Sequence, residues 1–316
     1  INGAKNLITL YELTKKEKYR KAADKVYEQI KGQPRTSEGN FWHKKIYPNQ
    51  VWLDGLYMAL PFYMEYERRF NKMQGCLDSF KQFKNVEALM KDEKTGLYYH
   101  GYDESREMYW ADKETGCSPN FWLRALGWFT VALVDTAEAM DESMYYEYRY
   151  LQTMLENLAN ALIPFQDESG MFYQVVDKKD VSRNYLETSG TALIAYGLLK
   201  GVRLGYIPER FRDIAIRAFD GITLKYLSRN SEFNNLKKGM KDLAPEQKPV
   251  IGALINKVWS ELSSLIEEKN NEFYLKELNE KLSKERIDVT LDGDYIPLGK
   301  VHPLTQTVNE IVEIFQ

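Results

Sequence analysis

Two histidines and an aspartate lie beside aromatic residues in two loop segments, and these residue types can move protons. His43 and Trp52 precede Asp54 in the first segment. In the second segment, His100 directly follows two tyrosines. A carboxyl group beside an apolar ring has a raised pKa, which suits it to donate a proton near neutral pH. Asp54 also precedes the apolar run Leu56–Met64, where aspartate is a common helix N-cap. Asp54 is therefore a candidate general acid, with a purely structural capping role as the alternative.

A second cluster suited to ligand binding surrounds Arg124. Trp110 and Trp122 precede it, and Trp128 follows four residues later, so that Arg124 and Trp128 share one face of a predicted helix. A guanidinium group is always charged and can hold a substrate carboxylate through paired hydrogen bonds. The same side chain can instead hold the start of the helix by lying over an indole ring. The sequence leaves both interpretations of Arg124 open.

Three loops repeat one order of residue types, and they read SEGNFWHKKIY, DEKTGLYYHGYD and DESGMFYQVVD. Each has acidic or polar residues, a glycine, aromatic residues and a polar residue four places after the glycine. The resulting pairs are Gly39 with His43, Gly96 with His100, and Gly170 with Gln174. Loops of one design, separated by pairs of helices, predict a toroid of helical hairpins in which equivalent loops meet at one mouth. We therefore expect the three polar residues to point toward a shared site.

The elements that must position these loops are helices. Apolar residues recur at three- and four-residue spacing in eight segments, which predicts α-helices there. These segments are Lys5–Leu13, Tyr19–Ile30, Leu56–Phe70, Cys76–Met90, Arg124–Met140, Met144–Leu162, Gly190–Gly201 and Glu209–Leu224. No convincing alternation of apolar and polar residues predicts a strand before the far C-terminus.

The sequence changes character near Leu224, where aromatic residues become rare and charged residues frequent. The alternating four- and three-residue spacing of a coiled-coil seam is found at Ile251, Ile255, Val258, Leu262 and Leu265. The turn LAPEQKP ahead of them ends any preceding helix. We expect a long helical arm that differs from the toroid repeats.

Composition narrows the class of protein. The 316 residues are 44% hydrophobic and 28% charged, and the formal net charge of −3 gives no general attraction for nucleic acid or acidic membranes. Cys76 and Cys117 do not make a disulfide framework, and no residues cluster as a metal site. No apolar run approaches a membrane span, and the first residues do not resemble a signal peptide. We expect a cytoplasmic protein without a metal or other cofactor.

Four segments carry a specific resemblance, namely FWHKKIYPNQVWLDGLYMALPF, YYHGYDES, WADKETGCSPNFWLRALGWF and YLETSGTALIAYGLLKGVRLG. Together they resemble the unsaturated rhamnogalacturonyl hydrolases, also called unsaturated glucuronyl hydrolase-like, over residues 1–223. The resemblance implies an all-α fold, with residues 1–223 forming an incomplete six-hairpin α/α barrel. It also implies removal of a terminal 4,5-unsaturated uronic acid by protonation and hydration of the double bond. The substrate expected from the family is unsaturated galacturonyl-rhamnose from pectin.

The same resemblance assigns roles to individual residues. Asp54 matches the family's catalytic acid. Residues that match positions lining the substrate pocket are His43, Lys44, Trp52, His100, Trp122, Arg124 and Trp128. Arg124, together with Lys44, is expected to hold the uronate carboxylate, while the tryptophans pack on the sugar rings. No metal is implied.

Residues 224–316 resemble a different protein, the N-terminal region of the bacterial phenylalanyl-tRNA synthetase α subunit. The match includes KPVIGALINKVWSELSSLIEEKNNEF and the later HPLTQ element, to which His302 belongs. The resemblance implies an antiparallel coiled-coil arm followed by a short extended C-terminal segment, with tRNA or the synthetase β subunit as partner. From Leu224 onward there are 13 Lys and Arg against 15 Asp and Glu, so no basic excess indicates tRNA affinity by itself.

Three hypotheses follow from these observations. The first is a glycoside hydrolase that acts on unsaturated uronyl oligosaccharides, with Asp54 as its acid. The second is a tRNA-binding or assembly fragment of the synthetase α subunit without its catalytic domain. The third is an inactive chimeric helical scaffold. Hydrolysis of an unsaturated uronide distinguishes the first, and capture of tRNA or of a β subunit distinguishes the second.

Overall fold

A computed structural model describes residues 1–227, 235, 239 and 246–284. The chain divides into two compact units, residues 1–235 and residues 236–316, and each is described by itself. The described part is mostly helical, as the apolar periodicity predicts. In the first unit the α-helices are α1 (Lys5–Thr14), α2 (Glu17–Lys31), α3 (Leu53–Phe70), α4 (Cys76–Met90), α5 (Leu123–Ala139), α6 (Tyr145–Leu162), α7 (Thr188–Arg203) and α8 (Phe211–Leu227). Short 3₁₀ turns span Asn2–Ala4 and Ile163–Phe165.

Three of these helices form an inner row, and their partners lie outside it. Helix α5 packs against both α3 and α7, while α4, α6 and α8 each pack on the inner helix that precedes them. Helix α5 has 17 residues, of which all but four are buried, as expected for a helix that is apolar on nearly every side. The first two helices form a further hairpin that contacts α3.

Glycines allow α5 and α7 to approach closely. A methyl group at Gly190 would lie 2.5 Å from Cγ of Leu123, and one at Gly197 would lie 2.6 Å from Cγ2 of Thr130. Both distances are shorter than any ordinary carbon–carbon contact. Gly190, near the start of α7, and Gly197, near its middle, therefore set the spacing between α5 and α7.

Contrary to the sequence prediction, the first unit contains a small two-stranded sheet. Strand β1 (Gln50–Trp52) pairs antiparallel with β2 (Gly101–Asp103), and Val51 lies opposite Tyr102. Three residues are too few for an alternating pattern to stand out from the loops around them. The pairing ties the loop that carries His43 to the loop that carries His100.

The repeated loops share a backbone conformation. Their glycines, Gly39, Gly96 and Gly170, have φ angles of 104°, 73° and 85°, a region that side chains with a Cβ rarely adopt. A fourth loop, DKETGCSPN, follows the same design, since Gly116 has a φ of 78° and is followed four places later by Asn120. This loop does not stand out in the sequence, because the residues directly after its glycine are not aromatic.

In the second unit the described residues include one long helix, α9 (Lys248–Lys284), which begins at the sixth residue of the LAPEQKP segment. The predicted coiled-coil seam falls on this helix. A second, antiparallel helix for the arm, the extended C-terminal segment and His302 lie outside the described residues. None of the described helices combines the length and apolar character that crossing a membrane requires.

Candidate active site

The inner helices begin at one mouth. Trp52, Trp122 and Glu187 are the N-cap residues of α3, α5 and α7, and each has an extended backbone. Asp54 and Arg124 are the second residues of α3 and α5. Because helix N-termini carry a partial positive charge, this mouth favours anionic ligands.

Asp54 is enclosed and lies against His100. Its side chain is 17% exposed, and its Oδ2 atom is 3.6 Å from Nε2 of His100, which is itself 21% exposed. Burial raises the pKa of Asp54, while its own backbone N–H and the charges of Arg124 and Lys44 act in the opposite direction. Neither Oδ2 of Asp54 nor Nε2 of His100 has a hydrogen-bond partner among the described residues. Asp54 is therefore a carboxyl group with a raised pKa and a free oxygen.

Both histidines of the site are neutral near pH 7. Burial, reinforced by Lys44 and His100, lowers the pKa of His43 to about 4. Burial and the nearby charge of Arg124 lower the pKa of His100 to about 4 as well. The contact of His100 with Asp54 is consequently not an ion pair at neutral pH.

An aromatic wall stands beside Asp54. The rings of His43 and Tyr47 lie nearly parallel to Trp52, with centroids at 4.3 Å and 5.2 Å from it. The Nε1 atom of Trp52 donates a hydrogen bond to Oε1 of Gln50 at 3.0 Å, which fixes the indole. His100 then sets its edge toward Trp52, with centroids 5.0 Å apart. Tyr47 and Gln50 lie in the quoted segment FWHKKIYPNQVW, but the sequence does not show that they hold Trp52.

Arg124 makes two contacts at the start of α5. Its guanidinium carbon lies 4.2 Å from the centroid of Trp122, and one of its nitrogens is 3.1 Å from Oε1 of Glu187. Glu187 is 4% exposed, and its Oε2 atom has no hydrogen-bond partner in the described part of the chain. The cation–π interpretation of Arg124 is thus present in the structure, together with an ion pair. Glu187 was not among the predicted site residues, although it lies in the segment YLETSG.

The other predicted residues lie at the edges of this arrangement. Trp128, one turn below Arg124, stacks on Tyr57 with centroids 4.8 Å apart. Lys44 is exposed, with its amine 5.7 Å from the centroid of Tyr47. Whether any of these residues binds a ligand stays a prediction.

The three residues expected to share a site are divided between two adjoining cavities. His100 and Gln174 line one cavity, and His43 lines another, while Trp52 lines both. The three residues therefore line two neighbouring cavities and do not surround one common space. Within the described ranges, no group of three or more His, Cys, Asp or Glu residues is placed to hold a metal ion.

Comparison with known proteins identifies two matches along the chain. The model of Glycosyl Hydrolase Family 88 matches residues 1–241, and that of the aminoacyl tRNA synthetase class II N-terminal domain matches residues 216–282. The two matches overlap at residues 216–241. The phenylalanine–tRNA ligase α subunit of Acetivibrio thermocellus is 42% identical over 117 residues, which cover 37% of this chain and 34% of that protein.

Relatives of the first part include hydrolases. Protein Atu3128 of Agrobacterium fabrum is 40% identical over 162 residues, covering 51% of this chain and 68% of the relative. The unsaturated rhamnogalacturonyl hydrolase YesR of Bacillus subtilis is 29% identical over 213 residues, covering 65% of this chain and 59% of YesR. A family 105 glycoside hydrolase structure from C. acetobutylicum aligns with a TM-score of 0.67 and 47% identity, covering 70% of this chain and 61% of that one. This likeness supports the α/α-hairpin architecture, and the chain spans less than two thirds of that structure's length.

Proposed function

The chain belongs to Glycosyl Hydrolase Family 88, and on that premise we propose that it removes a terminal 4,5-unsaturated uronic acid from an oligosaccharide. The observation that carries the proposal is Asp54, a buried carboxyl group whose burial raises its pKa and whose Oδ2 has no partner among the described residues. An acid of this kind keeps its proton at higher pH than an exposed aspartate does. We propose Asp54 as the catalytic acid.

The reaction begins at the carbon–carbon double bond of the sugar. Asp54 donates its proton to C4, and the positive charge that develops at C5 is shared with the ring oxygen. Water adds at C5 and gives up a proton to the Asp54 carboxylate, which restores the acid. The hemiketal formed at C5 then opens its ring, and the hemiacetal left at C1 expels the neighbouring sugar. One carboxyl group suffices, in contrast to the paired carboxylates of most glycosidases.

Arg124 is the proposed ligand of the uronate carboxylate. Its guanidinium carries five N–H groups, and the ion pair with Glu187 engages one nitrogen at 3.1 Å. Glu187 thereby orients the group while leaving other N–H donors for the substrate. Lys44 adds positive charge near Asp54, and the N-termini of α3 and α5 act in the same direction.

The neutral rings of the site suit the rest of the sugar. His43 and His100, whose pKa values are both about 4, offer uncharged nitrogens to hydroxyl groups. Trp52 and Trp122 supply flat apolar surface beside them. Trp128, which stacks on Tyr57 at the edge of the site, is proposed as a further aromatic surface for the sugar.

Unsaturated galacturonyl-rhamnose is the substrate we propose. Its support is the name of the relative YesR, an unsaturated rhamnogalacturonyl hydrolase that is 29% identical over 213 residues. We propose that residues 1–223 form the hydrolase domain. We also propose that this domain is an incomplete six-hairpin α/α barrel. The boundary falls inside the overlap of the two family matches.

The test follows the loss of ultraviolet absorbance from the unsaturated bond of a lyase-generated pectin disaccharide. We expect the parent protein to remove the absorbance and Asp54→Asn to lower kcat by about 10²- to 10⁴-fold, the usual contribution of a general acid. Asp180→Asn, at an exposed loop position, is the matched control and should leave kcat unchanged. Equal rates for the parent and Asp54→Asn would remove Asp54 from the acid role.

The C-terminal part supplies a second candidate function, the binding of tRNA or a synthetase β subunit. The family match over residues 216–282 and the 37-residue helix α9 support it. A pull-down with residues 224–316 intact, compared with the chain ending at residue 223, tests this proposal. Capture of either partner by the long chain alone is the expected result, and equal capture by both chains would contradict it.

A further inference from the structure

A small cavity lies beside His43, and the proposed reaction does not use it. Its volume is about 100 Å³, whereas a buried water needs only roughly 10–15 Å³ of space. Its lining includes residues of α3, of α4 and of the loop that joins α2 to β1. Within the described residues, no Asp, Glu, Lys or Arg side chain lines it. A cavity of this size without charged groups suits water better than an ion.

Gln82 of α4 brings a buried hydrogen-bond donor to this cavity. The residue is 3% exposed. Its Oε1 atom accepts a hydrogen bond from the backbone N–H of Phe41 at 3.1 Å, which fixes the orientation of the amide. The other end of the amide, Nε2, has no hydrogen-bond partner among the described residues. Because a buried N–H without an acceptor is destabilising, such groups normally meet an ordered water.

Trp42 and His43 add two more unpartnered atoms to the same lining. Nε1 of Trp42 and Nδ1 of His43 are buried and have no hydrogen-bond partner in the part of the chain that the structure describes. The other polar side chains that line the cavity already donate to acceptors, and these are Gln33, Asn40 and Trp52. The unpartnered groups of the lining therefore belong to Trp42, His43 and Gln82.

The chemistry of these three groups determines how a water can join them. The indole nitrogen of Trp42 and the amide nitrogen of Gln82 donate and do not accept. The pKa of His43 is lowered to about 4, mainly by burial, so at pH 7 its ring is neutral and one nitrogen is free to accept. A water that accepts from both donors must direct its own protons elsewhere. Among the three groups, only the ring of His43 can accept one of them.

Gly55 keeps open the space beside Nδ1 of His43. It is the third residue of α3 and lines the same cavity. A methyl group at Gly55 would lie 3.3 Å from Nδ1 of His43, and a water hydrogen-bonded to that nitrogen would lie at about 2.9 Å. The methyl group and the water would therefore compete for the same space. Glycine weakens a helix relative to alanine, but at this position it leaves room for a water on the imidazole.

We propose that Gln82 is a positioning residue, which acts on His43 through a water held in this cavity. The water accepts from Gln82 and Trp42 and donates to Nδ1 of His43, so that the proton of the ring stays on Nε2. His43 then offers a ligand a hydrogen-bond donor in place of an acceptor. That use rests on the proposed hydrolase function, whereas the tautomer is a property of the protein without substrate.

NMR of the protein with isotopically labelled histidine nitrogens shows directly which ring nitrogen carries the proton. Two-bond proton–nitrogen spectra are recorded at pH 7, and His43→Gln assigns the signals of His43 by removing them. We expect the Nε2–H tautomer alone in the parent, together with magnetisation transfer from a long-lived water to the indole N–H of Trp42. A parent protein with the proton mainly on Nδ1, or without transfer from water, would overturn the proposal.

Two variants separate the water from its donor. Gly55→Ala fills the space beside Nδ1 and retains the bond from Phe41 to Gln82, while Gln82→Met removes the donor. Each should raise the ratio of Nδ1–H to Nε2–H by about three- to tenfold, the effect of one ordinary hydrogen bond. Gly55→Ala should also abolish the transfer from water to Trp42. Gly3→Ala is the matched control and should change neither reading, because no atom would lie within 4 Å of its methyl group.

The possible failures are distinct from one another. An unchanged tautomer ratio in Gly55→Ala would overturn the bridging water, and an unchanged ratio in Gln82→Met would overturn the role of Gln82. None of these spectra needs a substrate. Absence of hydrolysis by the parent would therefore count against the proposed function alone, and a mixture of tautomers in the parent would count against this inference alone.

Discussion

Replacement of His100 by glutamine should make the protein less sensitive to acid. The pKa of His100 is lowered from 6.5 to about 4, first by burial and then by Arg124. Since the unfolded chain binds the proton more tightly than the folded protein does, the stability is present above about pH 6.5 and is lost as pH falls toward 4. Glutamine keeps hydrogen-bonding capacity but does not titrate.

The magnitude follows from the two pKa values. At pH 5 the unfolded chain has protonated His100 almost completely, while the folded protein has protonated it only to about a tenth. Linkage then gives a loss of about 2 kcal/mol between pH 7 and pH 5 from this residue. His43, with a pKa lowered to about 4, adds to the loss, and Asp54, with a raised pKa, opposes it. Both groups are present in the parent and in the variant.

Urea unfolding at pH 7, 6 and 5 measures this difference. We expect His100→Gln to lose about 2 kcal/mol less stability than the parent over that interval, which corresponds to a fall in Tm smaller by about 4–8 °C. The titration of the remaining histidines by NMR serves as a control for His43. If the parent and His100→Gln lose the same stability between pH 7 and pH 5, then His100 is solvated in the folded protein. That result would contradict the description of the site as enclosed.

Three further outcomes follow from the same geometry. The value of kcat/KM should fall as pH rises through the raised pKa of Asp54, because only the protonated acid can donate; a profile that is flat from about pH 5 to 8 would contradict this. Arg124→Gln should raise KM by about tenfold or more. It should also move the descending limb of the kcat/KM profile to higher pH, because the charge of Arg124 lowers the pKa of Asp54. A descending limb at the same pH in the parent and the variant would exclude this electrostatic contact. Gly190→Ala should lower the free energy of unfolding in urea by about 1 kcal/mol, because the overpacking costs about 1–3 kcal/mol and outweighs the gain in helix propensity. An unchanged urea midpoint would show that α5 and α7 can move apart to accommodate the methyl group.

The helices could be predicted from the sequence because each carries its own periodic signal. The apolar spacing of Cys76–Met90 predicts α4 with the bounds that the structure has. The glycines of the repeated loops could also be recognised from the sequence, because a positive φ favours glycine at a single position such as Gly39 or Gly96. In both cases the information is local, so neighbouring residues suffice to read it.

Contacts between distant segments could not be predicted in the same way. Glu187 lies 63 positions after Arg124, and only the packing of α7 against α5 brings their charges to 3.1 Å. The two-stranded sheet pairs Val51 with Tyr102. Neither three-residue strand carries a sequence pattern that predicts this pairing. The fourth loop could not be assigned to the repeat from the sequence, because Gly116 is followed by cysteine and serine instead of aromatic residues.

The most direct test of the proposed chemistry is to run the reaction in D₂O and locate deuterium in the products by NMR. If Asp54 protonates the double bond, the released uronate acquires one deuterium at C4, the ultraviolet absorbance disappears in step with release of the neighbouring sugar, and Asp54→Asn slows both together. Release of an unsaturated uronate that keeps its absorbance and carries no deuterium at C4 would contradict hydration and show direct cleavage of the glycosidic bond.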